Sequence, residues 1–480
     1  VKVLLLNPVT RDGTRSLRVG RCQGKVIVGL WPNVEYGLIA ALLAADGHAA
    51  TILDANHLGL SWEAMLARAV AFAPDVVFVL SITATLDDDV AVVRDLAAAL
   101  PRATFAWWGT HASVRPDDYL AAFRSPRAVV VRREPDLTAR DLVSTLAHDH
   151  AAMTVLAGLS WSDGDASRHN PDRPFVADLD SLPMPSHEAM ATGEHLATDT
   201  HQPFALIKTS RGCPANCVFC TTHAFHGSAW RPRSPESIVD EITYVRRTRG
   251  VRDFFLQSDV FSRDRDWTLA LCERLLSADL GITWFCNSRV DTVDEEVLAR
   301  MKAAGCRLVA LGVESGSDRV LRAIRKGATS ARGEETLAAC RKVGLPALTY
   351  WVFGLPGETA DTIAETLAYI DRTAPDYAHF YTPTPLPGSR LFDQLGIADR
   401  VAAGELTWSD FFQGVSAQFV SPDVTVSQVS AAVRKAYLRF YTSPRRLVRE
   451  GLRLRSWGSL RGRLTTVYNM VRNYVLDKDA

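Results

Sequence analysis

The run Arg211-Gly212-Cys213-Pro214-Ala215-Asn216-Cys217-Val218-Phe219-Cys220 decides how this chain is read, because it sets three cysteines in a C-x3-C-x2-C spacing just after the apolar stretch Phe204 to Ile207. Three thiolates on one short loop can hold three irons of a [4Fe-4S] cube and leave the fourth without a protein ligand. A structural zinc site wants four closed ligands. No second cysteine pair exists, since Cys22, Cys272, Cys286, Cys306 and Cys340 stand alone, so the zinc alternative needs His223 or His226 as its fourth ligand. A disulfide framework is disfavoured by the size of the chain and the lack of a signal peptide.

Downstream of the triplet, strand and helix alternate. Strand-like stretches at Phe204 to Thr209, Asp253 to Gln257, Thr283 to Asn287, Arg307 to Gly312, Ala347 to Phe353 and Tyr377 to Thr382 are separated by amphipathic helices. Six such units predict a partial (βα)6 barrel over 201–395, with its active groups at the carboxyl ends of the strands. Upstream, residues 151–200 are rich in Asp, Pro and Ser and read as a linker.

Before that, short all-apolar strands such as Val1 to Leu6, Asp75 to Ser81 and Ala103 to Gly109 alternate with helices over 1–150. Such a pattern marks a parallel, doubly wound sheet, here of five units in a flavodoxin-like order. Ligands of these sheets lie beyond the strand carboxyl ends. The loops of interest are therefore Asn7 to Trp31, which carries Arg11, Arg15, Arg18, Arg21 and Cys22, together with Ser81 to Thr85, Gly109 to Ser113 and Arg132 to Pro135. No G-x-G-x-x-G follows Leu6, which counts against a dinucleotide site.

The 480 residues suit two domains and an appendage, and 54 basic against 54 acidic side chains give no pull toward nucleic acid. No uninterrupted apolar stretch reaches the length of a membrane span. Thiols that must stay reduced point to the cytoplasm. From Arg434 to Arg472 eleven Lys or Arg face one acidic residue, Glu450. That helical C-terminal region, 396–480, suits peripheral contact with an anionic membrane, an acidic partner, or a solvated face packed on the barrel.

The triplet, with aromatic Phe219 before its last cysteine, resembles the signature of the radical S-adenosylmethionine (SAM) enzymes. A flavodoxin-like domain in front of such a core resembles the cobalamin-binding branch of that family. Asn7-Pro8, Gly20 to Cys22 and Leu53-Asp54 carry that resemblance. It implies three cofactors, a [4Fe-4S] cluster on Cys213, Cys217 and Cys220, SAM on its open iron, and cobalamin. It further implies that SAM meets Phe219, Asp259, Asn287, Ser288, Arg289, Glu314, Ser315 and Gly354. By the same analogy cobalamin meets Ser81, Thr83, Thr85, Gly109 and His111. The chain departs from the family in lacking D-x-H-x-x-G, and in having Arg132-Arg133-Glu134-Pro135 where G-E-x-E is usual. Thr85 reads equally as a helix cap and His111 as a core or surface histidine. Arg231 and Arg233 would face substrate or phosphate, or else form salt bridges.

The activity implied is that of a methyltransferase. Cobalamin takes a methyl group from one SAM, and a 5′-deoxyadenosyl radical from a second SAM opens an unactivated carbon, or less often a phosphorus, of a small metabolite to receive it. A flavodoxin or ferredoxin would supply the electron. The alternatives are a cyclase or oxidase of the anaerobic protoporphyrin ester cyclase type and, from another class, a non-catalytic redox or cobalamin sensor.

Overall fold

The computed structural model describes residues 1–18, 23–25, 30–148, 150–197, 200–414 and 418–443. Arg21 and Cys22 of the first loop, and the basic tail beyond residue 443, lie outside them.

In the first domain β1 (Lys2–Asn7), β2 (Ala49–Asp54), β3 (Val76–Leu80), β4 (Thr104–Trp108) and β5 (Ala128–Val131) are parallel, in the order β2-β1-β3-β4-β5. The strands VVFVL and TFAWW are buried along their whole length because helices cover both sheet faces. Helix Val34–Ala45 is apolar almost all round, since the sheet takes one side of it and the second domain touches another.

The stretch after Ala151, expected to be a linker, instead extends this sheet. β6 (Leu159–Asp163) pairs antiparallel with β5, and β7 (Ala166–His169) pairs antiparallel with β6. The sequence signal was the Gly164-Asp165 turn, with Gly164 in the left-handed region, between two short runs. Polar composition hid a hairpin that lies at the sheet's edge.

The second domain has six parallel strands: β8 (Phe204–Lys208), β11 (Asp253–Gln257), β12 (Thr283–Arg289), β13 (Cys306–Glu314), β14 (Ala347–Val352) and β15 (Tyr377–Tyr381). They run in sequence order across an open barrel. A two-residue ribbon, β9 (Ser210–Arg211) with β10 (Arg231–Pro232), brackets the cysteine loop. Alternation sorts the side chains: Trp284, Cys286, Val309, Leu311 and Trp351 enter the helix layer, while their neighbours line the barrel's inner face.

Helix Val426–Tyr441 covers the edge of β15, where Tyr437 and Tyr441 hydroxyls bond the backbone of Phe380 and Ala378. That contact blunts a strand that would otherwise present free backbone groups. Leu386, Phe392, Trp408 and Phe411 return to pack on the first domain, so the C-terminal segment ties both units together.

Candidate active site

The cysteine loop begins at Gly212, whose φ is +84° and where a Cβ would lie 2.0 Å from the Ala229 carbonyl oxygen. Only glycine passes so close to backbone. The loop is then pinned from three sides. Val218 N–H donates to the Ile324 carbonyl (3.0 Å), Leu391 N–H donates to the Val218 carbonyl (2.8 Å), and Cys213 N–H donates to that of Gly227 (3.3 Å). Cys213 is buried, whereas Cys217 and Cys220 are half-buried.

Asp259, expected beside the methionyl amine, accepts from the cysteine loop itself. It takes Gly212 N–H (2.8 Å), His226 Nδ1 (2.8 Å) and the Thr222 hydroxyl (3.3 Å). It therefore braces the loop. His223 Nε2 donates to the Cys213 carbonyl at 2.7 Å, so both histidines weighed as zinc ligands have other partners. Among the described residues no three His, Cys, Asp or Glu side chains converge as a single-ion site would.

Strand alternation separates the expected SAM contacts into two groups. Asn287 and Arg289 lie on the inner face of β12, whereas Ser288 turns outward into a hydroxyl cluster with Ser262 and Thr292. Ser315 is likewise fully buried, bonded to Thr366 and to the N–H of Ser317. These two serines support the frame and do not face the barrel's interior. Glu314 stays at the site. It adopts φ +70° at a register shift in β13 and accepts from Lys326 Nζ at 2.7 Å, both side chains being buried.

Phe219 packs with Val218, Ile324, Leu355 and Val352, which joins the cysteine loop to the Gly354–Glu358 turn. Gly354 N–H donates to the buried Glu358 carboxylate. Burial lifts the Glu358 carboxyl to about 7, only partly offset by the Gly354 and Leu355 N–H groups. The folded state thus favours the proton, and the stability this confers is full below about 4.5 and lost as pH rises to about 7. The change is on the order of 3 kcal/mol. Glu358→Gln is expected to flatten the pH dependence of the apoprotein's melting temperature across that window; the wild-type slope in the variant would contradict it.

Arg289 is clamped. Its Nε and Nη2 donate to the two oxygens of Asp291 at 2.8 Å each, and Nη2 also reaches the Lys326 carbonyl. Its remaining Nη1 lies 3.6 Å from Cys217 Sγ. Burial raises the Cys217 thiol, and Lys326 and Arg289 pull it back toward the thiolate. Lys326 and Asp291 carry no motif that sequence alone could flag.

In the first domain the hydroxyls of Ser81 and Thr85 both donate to Asp89 at 2.7 Å, and Thr85 makes no side-chain cap hydrogen bond. Arg18 of the long loop reaches the same carboxylate (2.7 Å) and the Leu80 carbonyl (2.9 Å) with its side chain fully buried. Gln23 bonds Thr110 and the N–H of Thr83. Gly109, at φ +138°, passes so near Ser81 that a Cβ would meet its carbonyl oxygen at 2.0 Å. His111 turns away, to Asp118 (2.9 Å) and the ring of Trp408. A cavity of about 10 Å³ remains, lined by Arg18, Asn33, Ser81, Trp108, Gly109 and Phe225.

The two domains meet through buried ion pairs. Glu134 grips Arg231 at 2.6 Å, Arg211 pairs with Asp136, and Lys208 pairs with Glu35. Burial would raise Glu35, but Lys208 outweighs it and holds the group at about 2. Arg132 and Arg133 pair with Asp172, and Arg233 with Glu241, so all these arginines are salt-bridged. Glu134, within the stretch that departs from the usual motif, is thus a docking residue for the ribbon that brackets the cysteine loop.

Comparison with known families matches the B12 binding domain at residues 20–143 and the Radical SAM superfamily at residues 207–370. The chain joins a B12 binding domain to a radical SAM domain. An uncharacterized methyltransferase of Pyrococcus horikoshii is 28% identical over 451 residues, covering 94% of each chain. The anaerobic magnesium-protoporphyrin IX monomethyl ester cyclase of Rubrivivax gelatinosus is 26% identical, over 82% of this chain and 70% of its own. The fold matches the methyltransferase TsrM from Kitasatospora setae, solved with tryptophan and a SAM analogue (TM-score 0.65, 16% identity, 82% of this chain and 76% of that one). It also matches OxsB with aqua-cobalamin and SAM bound (0.66, 17%, 90% and 61%). The chain is therefore a radical SAM enzyme, and the sensor reading is set aside.

The residues present suit these cofactors. Asn287 Oδ1, Ser258 Oγ and Glu358 Oε1 are buried without partners at the barrel's strand ends. Arg18 Nε and Nη2 and Thr83 Oγ1 are likewise unpartnered around the first-domain crevice. Native interiors rarely leave such atoms unmatched, so both sets are free to meet polar groups of a ligand.

Proposed function

We propose that this chain is a cobalamin-dependent methyltransferase acting on an unactivated carbon, or phosphorus, of a small metabolite. Cys213, Cys217 and Cys220 hold a [4Fe-4S] cluster. Phe219, Asn287, Glu314 and Gly354 border SAM, and Thr83, Gly109 and Arg18 border cobalamin. The observation that carries the reading is the joint presence of unpartnered buried polar atoms in each domain, the two domains being tied to each other by the ion pairs of Glu134, Asp136 and Glu35.

When bound, the cofactors supply one-electron cleavage of a carbon–sulfur bond and a transferable methyl group. The chain's own part is to position and to exclude water. Trp31 and Val34 of the first domain pack on Phe255, Phe285 and Leu206 of the barrel's inner face, drying one side of it. On the far strands Tyr350, His379 and Tyr381 stack at about 6 Å. Burial lowers His379 to about 4, so at neutral pH this wall offers substrate an uncharged imidazole between two phenols. A flavodoxin or ferredoxin is proposed as the electron donor, in the cytoplasm. Among the described residues no helix is long and apolar enough to cross a membrane.

Anaerobic incubation with SAM, hydroxocobalamin and a low-potential reductant tests the reading. Both S-adenosylhomocysteine and 5′-deoxyadenosine are expected. Release of 5′-deoxyadenosine alone would favour ring formation of the cyclase type, which the similar identity of the cyclase relative keeps as the second reading. Release of neither would overturn both.

A further inference from the structure

We propose that Arg289 is a redox-tuning residue, donating from Nη1 to the Cys217 sulfur and so making the cluster easier to reduce. The inference rests on the cluster reading above and deepens it.

Three features of the geometry support it. The Asp291 carboxylate grips the Nε/Nη2 edge of the guanidinium, and the Lys326 carbonyl takes Nη2 as well, so the group cannot swing freely toward a ligand. The remaining Nη1 edge points at sulfur, 3.6 Å away, which is contact distance for so large an acceptor. The counter-ion lies on the opposite edge and orients the positive end toward Cys217. The side chain is also largely withdrawn from water, at 13% exposure, so its field is little screened.

Hydrogen bonds to cluster sulfurs are among the levers that set an iron–sulfur potential. Reduction adds one electron, drawn here from a chemical reductant, and concentrates negative charge on the sulfurs. A donor to one of them stabilises that reduced state more than the oxidised one. Arg289 thus acts on the cluster through its ligand, not as a catalytic residue touching substrate.

The test uses the full chain with a reconstituted cluster and no SAM, titrated with titanium(III) citrate while the reduced cluster is followed by electron paramagnetic resonance. Arg289→Gln is expected to shift the reduction equilibrium about tenfold toward the oxidised form, or about 59 mV for one electron. Should Arg289→Gln fail to hold its cluster, Arg289→Lys, which keeps the charge without the fork, is expected to fall below wild type. A wild-type potential in a cluster-loaded Arg289 variant overturns the proposal. So does an unchanged SAM-free potential with only the SAM requirement raised, which would make Arg289 a ligand of the SAM carboxylate. Wild-type protein that takes up no iron and sulfide defeats the cluster reading instead, and this inference with it.

Discussion

Cys217→Ala, reconstituted anaerobically with iron and sulfide, is expected to lose the intact cluster and all reductive cleavage of SAM. With one of three thiolates gone, two irons would lack protein ligands and the cube would no longer be held. The fold should survive. The loop around position 217 is secured by backbone bonds of Val218 to Ile324 and Leu391, and by Asp259 to Gly212, none of which uses the Cys217 side chain. An unchanged melting temperature with iron and sulfide lost is therefore the signature sought. A variant that keeps four irons and cleaves SAM would refute the assignment of this loop.

Asp89→Ala should produce the largest loss of stability. Asp89 is fully buried and accepts from Arg18, Ser81 and Thr85 at 2.7 Å each. Removing it strands a guanidinium whose side chain is 1% exposed and which already has two unmatched nitrogens. Breaking such a pair from one side costs about 3–5 kcal/mol. Urea denaturation of the apoprotein measures it. The double variant Arg18→Met with Asp89→Ala should recover much of the loss, because the uncompensated charge is gone. A single variant within 1 kcal/mol of wild type, on the order of an ordinary surface change, would show that the charge is not isolated there. The same carboxylate organises the carboxyl end of β3, so the single variant should also bind hydroxocobalamin less well.

The architecture was legible because its signals are local. All-apolar strands and amphipathic helices declare a parallel sheet, and a cysteine triplet after a strand declares a loop that binds metal. The hairpin of β6 and β7 was not, since its polar edge strands resemble a connector until the Gly164-Asp165 turn is given weight.

Within the site, residue type was readable but direction was not. Asn287, Ser288 and Arg289 are adjacent in sequence, yet the two-residue period of β12 sends the serine into the helix layer and its neighbours into the barrel. Asp259 and Ser81 sit on the expected loops, but each is satisfied by its own scaffold.

The amino-acid sequence by itself determined the two alternating strand-and-helix domains and the three cysteines, because patterning and spacing along the chain carry them, while the cofactors followed from the family resemblance of those motifs. Only the tertiary structure decided which polar groups remain unmatched, that Glu134 docks the ribbon that brackets the cysteine loop, and that Arg289 meets a ligand sulfur. Those facts depend on contacts between segments tens to about a hundred residues apart, where burial leaves each donor or charge to find its partner in space, whatever its place along the chain.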